Sequence, residues 1–167
     1  FLVEYKKEKI LFDLGIGKCH YSTPEGYGEG GELLNNLKKA GLDRNDITKV
    51  IFSHFHPDHI GWTSIEENGK RVLTFHNAKY YSSENEWNFW KDNTNHPLAI
   101  DQKGFKEPLE GVIKFLKDGE EIIPNLFVKF EFGHTPGLIN LILNSEGKRM
   151  WFMSDVVDRK STRLNSS

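Results

Sequence analysis

The segment Ser53–Trp62, SHFHPDHIGW, puts three imidazoles and a carboxylate, His54, His56, Asp58 and His59, within six residues. In an extended segment, side chains two residues apart point the same way, so His54 and His56 can grip one ion together. Pro57 ends the extended run and bends the chain, which lets Asp58 and His59 face a neighbouring position. Imidazole and carboxylate are the ligands that a catalytic Zn²⁺ or similar divalent ion takes where thiolate is absent. The chain has one cysteine, Cys19, which excludes a cysteine-based zinc site and any internal disulfide. The plainer alternative makes the histidines satisfied polar groups at a strand end, with Asp58 capping a helix that begins near Ile60. Two later places offer a polar side chain in a comparable setting. Gly133–Gly137 (GHTPG) presents His134 on a loop stiffened by Pro136, and Met153–Val156 (MSDV) presents Asp155 at a strand end. Catalytic groups gather at such strand ends in α/β folds.

The elements that must position these residues alternate between strand and helix. Lys9–Asp13 reads as a strand running into Gly15 and Gly17, followed by a Gly-, Pro- and Tyr-rich loop over Ser22–Gly31. Glu32–Ala40 places Leu33, Leu34 and Leu37 on one helical stripe, with Gly41 at the C-cap. Thr48–Phe52 is a buried strand by its β-branched content, and Arg71–Tyr81, Leu126–Phe132 and Asn140–Leu143 read as further strands. Asn144–Lys148 (NSEGK) is a hairpin turn into the strand Arg149–Met153, and Ser83–Lys91 fits a short amphipathic helix. Asp92–Glu110 is polar and irregular, with two prolines. The class is α/β.

With 167 residues the chain suits one domain, or part of a larger one. Its 22 basic and 24 acidic residues give a net charge of −2, which argues against a nucleic-acid-coating surface. No apolar run approaches the roughly 18 residues of a membrane span; a small-molecule substrate is the expected partner. A homodimer stays open, and the lone cysteine permits a cytoplasmic location without excluding the periplasm. Position 1 is Phe, and Phe1–Val3 reads as the inside of a strand. Residues 159–167 (RKSTRLNSS) are polar and aperiodic. The expectation is a domain over residues 1–158, a fragment of its fold, followed by a non-native or disordered tail over 159–167.

Taken in order, a strand ending in Asp13-Leu14-Gly15, then SHFHPDHIGW, GHTPG and a strand ending in Ser154-Asp155 resemble the metallo-β-lactamase-fold hydrolase superfamily across Phe1–Val157. The resemblance implies an αββα sandwich, here incomplete, lacking its N-terminal part and its last strands and helices. It implies two divalent metal ions, zinc first, with manganese, iron or cobalt as alternatives. His54, His56 and His134 would hold the first ion, Asp58 and His59 would belong to the second, and Asp155 would bridge. A metal-bridging hydroxide would be the nucleophile, oriented by Asp58, which would also relay a proton to the leaving group. The family supplies a further second-site histidine beyond the bridging aspartate, and this chain has no histidine after His134.

Local details narrow the branch. His56 where the diiron flavoproteins carry glutamate, Asp155 where true β-lactamases lack the carboxylate, and Ser154 before it all point elsewhere. Asn77-Ala78-Lys79-Tyr80 and Glu86–Trp90 (EWNFW) resemble the branch of N-acyl-homoserine lactonases and methyl-parathion-type hydrolases. The leading expectation is hydrolysis of a lactone or related ester, under a lid formed by Asp92–Glu110. A thioester or phosphodiester hydrolase on the same scaffold, or a degenerate non-catalytic binding module, are the alternatives. Asp13 is expected either as a supporting group beside the site or as a strand-end turn residue. His20, His76 and His96 read as surface or loop histidines, Trp62 as the tryptophan best placed to line a pocket, and Cys19 as a small buried hydrophobe.

Overall fold

The structure, a computed structural model, describes residues 1–23 and 26–156. The expected boundary at residue 158 and the tail 159–167 lie outside them. A five-stranded sheet runs in the order β1 (Leu2–Tyr5), β2 (Glu8–Phe12), β5 (Lys49–Ile51), β8 (Lys79–Ser83), β9 (Lys114–Leu116). Its first pair is antiparallel and the other three pairs are parallel. A four-stranded antiparallel sheet follows in chain order: β10 (Glu121–Ile123), β11 (Leu126–Phe130), β12 (Ile139–Ser145), β13 (Lys148–Phe152). Two hairpins stand apart, β3 (His20–Thr23) with β4 (Gly26–Glu29), and β6 (Ser64–Glu67) with β7 (Lys70–Leu73). The helices are α1 (Leu33–Lys39), α2 (Pro57–Ile60), α3 (Glu84–Trp90) and α4 (Glu107–Leu109).

Parallel strands need both faces covered, and the side chains of β2 and β5 divide accordingly. Leu11 and Val50 join the first core with Leu37 of α1, Ile60 of α2, and Trp87 and Trp90 of α3. Ile10, Phe12 and Ile51 join a second core with Val128, Ile139 and Leu141 of the other sheet. Every member of that second core lies on a strand, which makes it a sheet-on-sheet interface. Helix, sheet and sheet are thus the layers formed among the described residues.

Three local expectations are corrected. Arg71–Tyr81 is interrupted: after β7 the chain turns, Phe75 N–H donates to Tyr80 Oη at 3.1 Å, and β8 begins only at Lys79. The loop over Ser22–Gly31 contains most of the β3–β4 hairpin, because glycine-rich chain still pairs when two extended stretches face one another. Asp92–Glu110 is anchored rather than irregular throughout. It forms a π-helical turn over Gln102–Lys106 and then α4, and it buries Ile100, Phe105 and Leu109 in the first core. Phe105 packs edge-on against Phe52 and Phe55, so an apolar wedge holds much of the segment expected to act as a lid.

Candidate metal centre

Three strand ends deliver the candidate residues. β5 runs out at Ile51 and feeds Ser53, His54 and His56, after which Pro57 occupies the first turn of α2. The N-cap of α2 is His56, and no side chain caps it, so Asp58 is not the helix cap that the plainer reading required. Asp58 and His59 instead project from the first turn. The loop after β11 brings His134, and the end of β13 brings Ser154 and Asp155. The two sheets meet at this point, where Ile139 N–H donates to the Ser53 carbonyl at 2.9 Å.

Residues far apart in sequence converge here. His56 Nδ1 lies 3.1 Å from His54 Nε2 and 3.0 Å from His134 Nε2. Asp155 Oδ2 lies 3.6 Å from His134 Nε2, 3.5 Å from His59 Nε2 and 4.0 Å from His54 Nε2. Two overlapping groups have ligand atoms close enough to share an ion: His54, His56 and His134, and His54, His59 and Asp155. Asp58 belongs to neither, although its Oδ2 is 3.5 Å from His59 Nε2. His54 is fully buried, His56 and His59 are half-buried, and Asp58 and Asp155 open to solvent.

A hydrogen-bond network behind the cluster sets the imidazole tautomers. Asp13 Oδ1 accepts from Ser53 N–H at 2.7 Å, and its Oδ2 accepts from Ser53 Oγ at 2.7 Å. Ser53 Oγ, its one proton given to Asp13, accepts from His54 Nδ1–H at 3.0 Å and from Ser154 Oγ–H at 2.8 Å. Nε2 of His54 is then left unprotonated and facing the cluster. Asp13 Oδ2 also accepts from His59 Nδ1–H at 2.9 Å, which turns His59 Nε2 toward Asp58 and Asp155. Asp13 is therefore a supporting group, held at a left-handed φ of 61° that a short polar side chain tolerates.

The electrostatics suit a cation. Burial, then the neighbouring charges of His59, His56 and His134, push the His54 pKa down to about 2. Burial and His134 also lower that of His56. Burial works against a charged His59 as well, yet hydrogen bonds to Asp13 and Asp58 outweigh it and raise its pKa to about 10. The hydrogen bond from His59 brings Asp58 down to about 2. Three imidazole nitrogens stand at hydrogen-bond spacing, and on two of the rings burial disfavours a proton, so a positive centre among them would be well received. An all-nitrogen and oxygen donor set of this kind fits a divalent transition-metal ion.

Other expectations fared unevenly. Trp62 packs on the first core, and it is Trp90 whose ring meets His56, at 5.5 Å between centroids. His96, on its loop, packs edge-on against Trp90 at 4.8 Å. Cys19 is half-buried rather than buried. Ser53, Ser154 and Glu86 were given no place in the site by the sequence reading, which used Ser154 and the Glu86–Trp90 segment only as marks of the branch. Glu86 shares a face of α3 with Trp90, four residues on, and that spacing was the available sign that its carboxylate points inward.

The chain matches the metallo-β-lactamase superfamily over residues 1–167 and belongs to it. Among curated relatives, an N-acyl homoserine lactonase from Bacillus sp. is 23% identical over 163 residues, covering 87% of this chain and 58% of its own length. Among solved structures, AidC, a dizinc quorum-quenching lactonase, superposes with a TM-score of 0.71 at 29% identity, over 90% of this chain and 53% of its own. The hydrolase AbOPH gives 0.70 at 28%, over 93% and 55%. The chain thus spans little more than half the length of these proteins. No helix among the described residues is long and apolar enough to cross a membrane.

Proposed function

We propose that the protein is a metal-dependent hydrolase that opens a lactone or a related ester, with His54, His56, His134, Asp58, His59 and Asp155 holding two divalent ions, zinc first. The observation that carries this reading is the convergence of His54 Nε2, His56 Nδ1 and His134 Nε2 at 3.0–3.1 Å, with the Asp155 carboxylate against them. The lactonase relatives support the substrate class. Bound divalent ions would supply Lewis acidity toward a carbonyl oxygen and lower the pKa of water.

The residues do the rest. Ser53 and Ser154 hold His54 by its Nδ1, and Asp13 holds His59 by its Nδ1, so the opposite nitrogens stay aimed inward. Asp58 remains ionised at neutral pH and sits at the solvent-facing side of the cluster. Its Oδ atoms can take a proton from attacking water and, being weakly basic, pass it on to the departing alkoxide.

The test is a substrate panel on the full-length protein with and without chelator. Chelator-sensitive opening of N-hexanoyl-homoserine lactone, without comparable turnover of a glutathione thioester or a phosphodiester, is expected. Preference for either of those would move the reading to the other hydrolase classes. Absence of bound metal together with absence of turnover would make the protein a degenerate binding module.

A further inference from the structure

Glu86 is the only acidic side chain buried among the described residues, and it ligates nothing in the reading above. An ionised carboxylate in such a place needs compensation, and four donors provide it. Oε1 accepts from Phe55 N–H at 3.0 Å and from Trp90 Nε1–H at 2.6 Å. Oε2 accepts from Thr135 Oγ1–H at 2.7 Å and from Gly137 N–H at 2.9 Å. Phe55 lies between His54 and His56, Thr135 directly follows His134, and the Trp90 ring packs against His56. One carboxylate therefore ties together two loops that leave different sheets. Ser83 Oγ adds a bond of 2.6 Å to the Gly137 carbonyl. The contact is close: a Cβ on Gly137 would lie 2.2 Å from Glu86 N.

We infer that Glu86 is a positioning residue, clamping the His54–His56 segment to the His134 loop so that the three imidazoles stand at ion-binding spacing before an ion arrives. This rests on the reading that those histidines hold a divalent ion. A glutamine keeps the shape but has one acceptor oxygen, and its NH₂ group would face two of the four donors. An aspartate is one methylene short of reaching both loops.

The experiment is Zn²⁺ titration of the metal-free full-length protein against a chromophoric chelator, paired with the visible spectrum of the Co²⁺-loaded form. Glu86→Gln is compared with wild type and with Ile123→Ala, which trims a buried residue of the second core. Glu86→Gln is expected to weaken Zn²⁺ binding about tenfold or more and to alter the Co²⁺ bands, while Ile123→Ala lowers Tm but stays within about twofold in affinity. Unchanged affinity and spectrum in Glu86→Gln, or an equal loss in Ile123→Ala, would overturn the inference. If Glu86→Gln does not fold, Thr135→Val removes one donor at nearly constant shape. It should weaken Zn²⁺ binding about threefold or more, and an unaffected affinity overturns the inference equally. Wild-type protein that binds no Zn²⁺ would overturn the metal reading and this inference together, whereas normal wild-type binding beside an unaffected variant overturns this inference alone.

Discussion

Asp13 Oδ2 accepts a hydrogen bond from His59 Nδ1 at 2.9 Å across 46 residues of chain. It joins the end of β2 to the first turn of α2, and two backbone bonds run alongside, Leu14 N–H to the His59 carbonyl and Gly61 N–H to the Gly15 carbonyl. A carboxylate behind an imidazole fixes which nitrogen stays free, so this contact decides where His59 can ligate.

Asp13→Asn should separate that role from backbone effects, since asparagine also tolerates the left-handed φ at this position. The amide has one acceptor for three donors. A loss of about 1–3 kcal/mol in urea denaturation of the metal-free protein is expected. Metal affinity on the His59 side should fall about 10–100-fold, read as zinc retained after dialysis. Full retention of both would mean that Asp13 only shapes the turn.

The stability of the metal-free protein should peak near neutral pH. His59, with its pKa raised from 6.5 to about 10, stabilises the fold fully below 6.5 and ceases to do so as pH rises through about 10. His54, with its pKa lowered from 6.5 to about 2, resists the proton that the unfolded chain takes up, so stability falls as pH drops below 6.5. Tm measured from pH 4 to 10 in chelator should decline on both sides. A Tm that climbs steadily toward pH 10 contradicts the His59 assignment.

His134 and His54 should differ when replaced by alanine, although both are proposed ligands of the same ion. The His134 side chain is partly solvent-exposed and that of His54 is fully enclosed. His134→Ala should abolish chelator-sensitive hydrolysis while shifting metal-free stability by no more than about 0.5 kcal/mol. His54→Ala should lose activity and also about 1–3 kcal/mol, because it strands the Ser53–Ser154 hydroxyl pair. Activity assays combined with chemical denaturation distinguish the two.

Gly61→Ala should be harmful although it touches no candidate ligand. Its Cβ would lie 2.0 Å from the Ile16 carbonyl carbon, so α2 would have to lift off the loop after β2. A cost of about 1–3 kcal/mol is expected, with weaker zinc retention because His59 and Asp13 separate. Wild-type stability and metal content in this variant would show that the loop yields without disturbing α2.

Much of the site was legible because its chemistry is concentrated. His54, His56, Asp58 and His59 sit in one short segment, and His134 and Asp155 each follow a segment that reads as a strand in the sequence. Of the strands, β5 was legible by its β-branched content and β13 by the hairpin turn that precedes it. Glu86 was not, since three of its four partners lie 31 to 51 residues away and only the folded chain brings them to it. That Asp58 stands outside both close groups was hidden likewise, since only the folded placement of the side chains decides it. Phe105 and Leu109 escaped notice because two apolar residues amid polar chain show no period, yet tertiary packing buries them.

The central claim is that the convergent histidines hold a metal ion. Its most direct test is anomalous diffraction at the zinc edge from crystals of the full-length protein grown with Zn²⁺. The account predicts a strong peak bonded to His54 Nε2, His56 Nδ1 and His134 Nε2, with Asp155 turned toward it. A map without a peak there, with these nitrogens still hydrogen-bonded to one another, would contradict it.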